Sequence, residues 1–212
     1  MKTRLAILTS ILIFSCYQAH SQKKATTDDG KNVLLNENGT WKYDTLLSTT
    51  PDTGKVLSFN KPETSRQLKK SDKIDAGVWY NEHKWNVKAG TSSDAYEYLF
   101  TQKSGDLYAM FISERIEVPM DELVSIGRSN AEKVSTDFVF QEKGKRIING
   151  KEMRYAQFKC KVRGIDCQYL VYYYSQDGMT IQFLGYTSQK LFAGSKRELE
   201  SMLNGLAIID KK

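Results

Sequence analysis

Between residues 151 and 186 the chain alternates apolar and polar positions in three bursts. The first centres on Tyr155, Phe158, Cys160 and Val162, the second on Tyr169, Val171 and Tyr173, and the third on Met179, Ile181 and Phe183. A period of two is the signature of half-buried strands. Gly164 separates the first pair, with a turn centred on Gly164-Ile165. Asp177-Gly178 separates the second, and such a pair tolerates the left-handed conformations of a tight hairpin. The pattern predicts an antiparallel meander. Asn149-Gly150 predicts one more hairpin immediately before it.

Upstream, strands are predicted around residues 77–80 and 84–87, joined at Asn81-Glu82, then over 95–100 and 107–112. The run Tyr108-Ala109-Met110-Phe111-Ile112 is apolar on both sides, which suits a central strand with cover on each face. Pro119 opens a helix, with Asp121 and Glu122 at its positive end. Leu123, Ile126, Gly127, Ala131 and Val134 form its apolar face. Another strand begins at Asp137, followed by a charged stretch over residues 142–146. A second helix is predicted from Ser195, capped by that serine and Glu198, with Leu199, Met202, Leu203 and Leu206 as its stripe and Gly205 as its terminator. Residues 207–209 return as a short strand. The sum is an α+β domain: seven or eight mostly antiparallel strands packed with two amphipathic helices.

The first 72 residues read differently. Lys2 and Arg4 precede an aliphatic run over residues 5–14 that is too short to span a bilayer as a helix. Residues 1–21 fit a signal peptide cleaved before Gln22, with small residues at Ala19 and Ser21. A competing route leaves a lipid on Cys16, because Ile13-Phe14-Ser15-Cys16 resembles a bacterial lipobox, apart from the bulky Phe14. Either route exports the protein, to the periplasm or beyond; lipidation would add peripheral membrane association. Residues 22–44 read as a polar tether and a hairpin turning at Asn38-Gly39, with Trp41 on the return strand. This stretch resembles a short G-K-x-V-x-L…N-G-T-W-x-Y element found near the start of many exported bacterial proteins. Residues 45–72, interrupted by Pro51, Gly54 and Pro62, read as a linker, and the main domain is expected over 73–210.

Charge and cysteine use narrow the class. Of 31 Lys and Arg, only Lys2 and Arg4 lie in the leader, which leaves 29 against 25 Asp and Glu in well-mixed order. That balance is ordinary for a soluble surface and does not indicate a nucleic-acid protein. Cys160 and Cys167 remain beyond the leader, an even pair in an oxidising compartment. With the turn at Gly164-Ile165, Cys160 faces Tyr169 and the sulfurs lie diagonally on one sheet face. The pair is open between a disulfide and two half-buried thiols.

From residue 75 to 210 the order of elements resembles the PsbP-like superfamily. The likeness rests on Ile147-Ile148-Asn149-Gly150-Lys151-Glu152, Tyr155-Ala156-Gln157-Phe158, the aromatic strand over residues 169–174, and the closing segment over 192–206. The resemblance implies a PsbP-like α+β fold, in its bacterial exported or lipoprotein branch. Fold alone does not carry function, and no residue here identifies a photosystem or manganese contact.

Catalytic signals are sparse. The leader aside, His83 is the one histidine, in a polar turn-like sequence, and no nucleophile elbow or phosphate loop accompanies it. No catalytic, cofactor-binding or metal-ligating set is assigned. The expected function is therefore a non-enzymatic binding or assembly accessory of the cell envelope, whose partner is an envelope protein or glycan. Trp41, Tyr172, Tyr174 and Tyr186 are the candidate contact residues, since large aromatics anchor interfaces. The alternatives are an envelope hydrolase using carboxylates such as Asp137, Glu142 or Asp177, and a carrier holding a small ligand between sheet and helix.

Overall fold

In the computed structural model, residues 23–26, 32–35, 39–43 and 56–209 are described. Two compact units divide the chain, Met1–Ser48 and Thr49–Lys212. The leader and Cys16 lie outside the described residues.

The first unit holds β1 (Lys23–Thr26), β2 (Asn32–Leu35) and β3 (Trp41–Tyr43), an antiparallel sheet in the order β1-β2-β3. The predicted hairpin is its β2–β3 half, with Leu35 opposite Trp41. The expected tether instead supplies β1, because Ala25 finds Val33 across the ladder.

The second unit contains β4 (Leu57–Phe59), β5 (Gln67–Lys70), β6 (Ala76–Tyr80), β7 (Trp85–Ala89), β8 (Tyr98–Gln102), β9 (Tyr108–Glu114) and α1 (Met120–Val134). It continues with β10 (Thr136–Ile148), β11 (Lys151–Val162), β12 (Ile165–Gln176), β13 (Met179–Ser188), α2 (Gln189–Leu203) and β14 (Leu206–Ile208). An eight-stranded sheet runs β4-β10-β11-β12-β13-β9-β8-β7, and a three-stranded sheet runs β14-β6-β5. Pairing is antiparallel except for β4, which lies parallel to the end of β10.

The long meander forms because its turns are chemically specified. Asn149-Gly150, Arg163-Gly164 and Asp177-Gly178 all have positive φ at both residues. That is the type I′ geometry whose twist matches the flanking strands. The middle turn therefore sits one residue earlier than the sequence pattern places it. Val162 faces Ile165, and Cys160 faces Cys167 rather than Tyr169.

Each face of the large sheet carries one helix. On one side α1 runs across β10, β11 and β12, and packs Leu123 over Ala156, Phe158, Val171 and Tyr173. Its approach is close: a Cβ on Gly127 would stand 2.8 Å from the Tyr173 ring. Ile126 and Val134 lie outside that contact and are exposed, so the buried line is narrower than the sequence pattern suggests. On the other side α2 packs Phe192, Leu199, Met202 and Leu203 into the larger core with Phe111, Leu170, Tyr172, Tyr174 and Phe183. α2 starts two turns before Ser195. Phe192 reaches the core from that early stretch, and Glu198 pairs with Lys84 Nζ at 3.0 Å instead of closing a capping box.

The linker and hairpin expectations change most. β4 and β5 both lie within the expected linker of residues 45–72, joined by backbone pairing to β10 and β6. β6 and β7 do not pair with each other; they enter different sheets, β6 between β14 and β5 and β7 beside β8. A polar clasp joins these sheets. The Glu97 carboxylate accepts from Ser71 Oγ at 2.7 Å, from the Asp72 N–H at 2.6 Å and from Ser113 Oγ. Asn149 makes a second joint, its side-chain amide donating to the carbonyls of Asn204 and Leu206.

Candidate functional site

Alternation along β12 sends Tyr169, Val171 and Tyr173 to the α1 side and Leu170, Tyr172 and Tyr174 to the α2 side. The α2-side pair is sealed. Tyr172 is fully buried and Tyr174 nearly so. Tyr172 donates to Asn204 Oδ1 at 2.8 Å and accepts from Arg146 Nη1 at 3.0 Å. The expectation that Tyr172 and Tyr174 present a contact surface is thereby corrected: both are buried, and their rings are core.

Tyr186 belongs to the other side, in a row of rings set by strand register. Phe140 faces Phe158, Phe158 faces Tyr169, Tyr169 faces Tyr186 and Tyr186 faces Tyr108, one residue from each of five neighbouring strands. Ring centroids are 4.7 Å apart for Phe158–Tyr169, 5.1 Å for Tyr169–Tyr186 and 5.2 Å for Tyr186–Tyr108, and all three pairs are stacked. Neighbouring strands lie about 4.8 Å apart, so directly opposed rings meet at stacking distance with little adjustment. Phe138 joins the row against Phe158 at 4.7 Å.

One end of this ribbon is covered and the other is not. α1 lies over the Phe138, Phe140 and Phe158 end, while Tyr108 and Tyr186 are half-buried. Beside them Leu99 on β8 and Met110 and Ile112 on β9 are half-buried and belong to neither core. Leu99 faces Met110, which faces Leu184. The result is an apolar sheet face flanking α1, edged by the tyrosines. Because interior rings stack on each other, they offer edges and hydroxyls outward rather than open faces. That geometry suits an apolar side chain or a hydrogen-bonding backbone better than the flat face of a sugar.

The hydroxyls stay neutral over a wide range. Burial, with Tyr108 alongside, pushes Tyr186 up to about 12. Burial pushes Tyr172 up to about 12 as well, against the opposing pull of Arg146. Tyr169 and Tyr155 are raised by the same cause. A phenol ionises near pH 10 when unfolded, so the folded state holds these protons more tightly. Their stabilisation is complete below pH 10 and is lost as pH rises from about 10 to about 12. Urea midpoints measured across that interval should fall steeply, in step with tyrosinate absorbance, and should be flat between pH 7 and 9.

Trp41, in the first unit, is about half exposed at 52%. Cys160 is buried, Cys167 is half-buried, and both are free thiols. The three carboxylates considered for hydrolysis do not converge. Asp137 shares Lys161 with Asp166 at the start of β12, whereas Asp177 follows the far end of that twelve-residue strand. At about 3.3 Å per residue this separates them by roughly 35 Å, too far for a shared bond. Glu142 pairs with Lys196 at 3.6 Å and lies 3.4 Å from Tyr155 Oη on the α2 side. His83 is an exposed turn residue. Among the described residues no three His, Cys, Asp or Glu side chains gather as a metal site.

Sequence reasoning passed over the ribbon because its members are far apart in the chain. A signal was present nonetheless: the strand alternation that separates Tyr169 from Tyr172 also aligns it with Phe158 once the Arg163-Gly164 turn fixes the register.

No family model matches the sequence, and no curated protein does. Solved structures do match. CyanoP, the cyanobacterial PsbP of Synechocystis, superposes with a TM-score of 0.52 at 13% identity, over 76% of this chain and 98% of its own. The fold is PsbP-like. More distant likenesses are PA94 of Pseudomonas aeruginosa, described as a putative regulator of unknown function, and LpqN of Mycobacterium tuberculosis, described as involved in cell envelope biogenesis. Each has a TM-score of 0.44, at 11% identity over 68% of this chain and 98% of its own for PA94, and at 10% over 71% and 88% for LpqN. In the PsbP-like fold of this chain, the Tyr108 and Tyr186 end of the aromatic ribbon and the apolar face beside α1 lie outside both cores.

Proposed function

We propose that the protein is an exported, non-enzymatic accessory of the cell envelope that engages another envelope protein through the sheet face beside α1. The observation that carries this reading is that face itself: Leu99, Met110, Ile112 and Tyr186 are partly exposed, lie on one face of three neighbouring strands and are outside both cores. Contiguous apolar surface of this kind marks interaction sites. Trp41 on the first unit is a second anchor, and its large exposed indole is typical of interface hot spots. The leader supplies export, with lipidation at Cys16 as the route to a membrane-bound form. An envelope glycan is the competing partner, and the edge-on rings favour protein.

Photocrosslinking tests this directly. A benzoylphenylalanine at position 110 or 186 should yield a discrete protease-sensitive adduct in native envelopes. The same group at Leu191, exposed on α2 at 44%, should not. Met110→Asp should reduce adduct formation from position 186 at least tenfold, the effect of about 1.4 kcal/mol in binding. Equal labelling from Leu191, or none from any position, would exclude this face as the docking surface. An adduct removed by glycosidase and untouched by protease would transfer the assignment to a glycan.

A further inference from the structure

The β11–β12 hairpin places its two cysteines in a more specific relation than shared burial. Val162 and Ile165 close a two-residue type I′ turn, with Arg163 at φ 49° and Gly164 at φ 81°. The closing pair of such a turn exchanges both backbone hydrogen bonds, and hydrogen-bonded and non-hydrogen-bonded pairs then alternate. Two steps along the ladder, Cys160 and Cys167 are again a hydrogen-bonded pair, directly opposite and on the α1 side. Their Cα separation is therefore about 5.5 Å, inside the range of about 4.4–6.8 Å that disulfides span. Opposed Cβ atoms in a hydrogen-bonded pair lie at the wide end of the ladder spacing, about 5.5 Å, whereas a disulfide draws them to about 3.8 Å. The bond can form, but it pulls the ladder inward.

We propose that Cys160 and Cys167 are a reversible oxidation site, linked by a cross-strand disulfide that forms and breaks by exchange with an external disulfide. Cys167 is half-buried and Cys160 is 2% exposed, so Cys167 meets the oxidant. Its thiolate attacks the external disulfide, forming a mixed disulfide and releasing one thiol. The Cys160 thiolate then attacks the Cys167 sulfur, closing the intramolecular bond and releasing the second thiol. Two thiols of the protein are oxidised and one external disulfide is reduced to two thiols. The inward pull makes the product easier to reduce than an unstrained staple. Ser135, the C-cap residue of α1, lies beside Cys160, so the bond forms at the point where α1 meets the sheet. Burial pushes both thiols up, so exchange accelerates as pH rises through the alkaline range.

The test uses the full chain with Cys16→Ser, exposed while folded to oxidised glutathione, then trapped with iodoacetamide and mapped by peptide mass. The expected product is a Cys160–Cys167 linked peptide that loses two hydrogens, gains no alkyl group, and returns to two alkylated thiols when reduced glutathione is added. In Cys160→Ser, Cys167 should accumulate as a mixed glutathione disulfide. In Cys167→Ser, Cys160 should stay unmodified. Two alkylated thiols after oxidation, or dimers joined through Cys167, would overturn the site. A linked peptide that persists in reduced glutathione would overturn its reversibility, and glutathionylation of Cys160 in Cys167→Ser would overturn the order of attack. The mapping is made on a chain with both cysteines intact, so it does not depend on either variant folding.

Discussion

Arg146→Ala is expected to lower the free energy of unfolding by about 4 kcal/mol, read as a reduced urea midpoint with an unchanged slope. Arg146 sits on the α2 side of β10 and is only 5% exposed. Its guanidinium lies 3.6 Å from the Tyr155 ring centroid, 5.2 Å from Phe59 and 5.7 Å from Tyr172. It donates to Tyr172 Oη and, at 3.1 Å, to Glu200 on α2. Burial alone pulls the guanidinium down, but Tyr172, Tyr155 and Glu200 more than offset it. Removing the side chain forfeits a desolvated cation–π contact of about 2 kcal/mol and empties a site between three rings. Glu200 is one quarter exposed, so water rescues part of its stranded charge. For that reason the loss stays within the usual cost of about 3–5 kcal/mol for breaking a buried pair. Glu200→Gln leaves the rings in place and should cost less than half as much. Wild-type stability in Arg146→Ala would mean that desolving the guanidinium costs as much as its contacts return.

Gly205→Ala should be nearly as damaging, at about 3 kcal/mol, the upper end of ordinary overpacking. A Cβ at this position would stand 2.0 Å from the Trp79 carbonyl oxygen and 3.1 Å from that of Met202. Both are backbone atoms, so no rotamer change relieves the clash. The Gly205 carbonyl also accepts the Trp79 N–H at 2.8 Å, joining the end of α2 to β6. The substitution must separate those chains, and hydrogen exchange at the Trp79 amide should accelerate along with the loss of stability. Gly194→Ala is the matched contrast. It lies in α2 with open space around it and should stabilise by up to about 1 kcal/mol through helix propensity. If both alanines behave alike, close approach is not what requires glycine at 205.

Gly205 also shows where sequence reading stops. It reads as a helix terminator, and α2 does end just before it. Its φ is not in the left-handed region that usually explains such a glycine, however; the reason is a backbone 126 residues upstream. Local chemistry was legible wherever it decided the outcome, as at Asn149-Gly150 and Asp177-Gly178. Arg163 is a poor advertisement for a left-handed residue, which is why the sequence pattern places the middle turn one residue late and sets the cysteines diagonally. Pairing between distant segments left no trace: β4 lies parallel to β10 across some ninety residues, and its three residues resemble any linker. The burial of Arg146 was hidden by its charged neighbours, although its alternation with Ile148 placed both on one face. In the candidate site, the assignment of the tyrosines to faces was readable. Which face a helix would seal was not, because cover depends on chain reversal and not on the strand itself.

The tyrosines of β12 carry one more consequence. Tyr172, Tyr173 and Tyr174 are consecutive, so a one-residue slip of this strand would bring a tyrosine into two of the three places the tyrosines left. Side chains of nearly equal volume on both faces discriminate weakly between the two alignments, even though every residue changes sides. The strand's alignment is thus held from its ends, by the Arg163-Gly164 and Asp177-Gly178 turns. An inserted residue in either turn would be felt less at the tyrosines than at Cys167, Gln168 and Val171, whose exchanged neighbours differ in size and polarity.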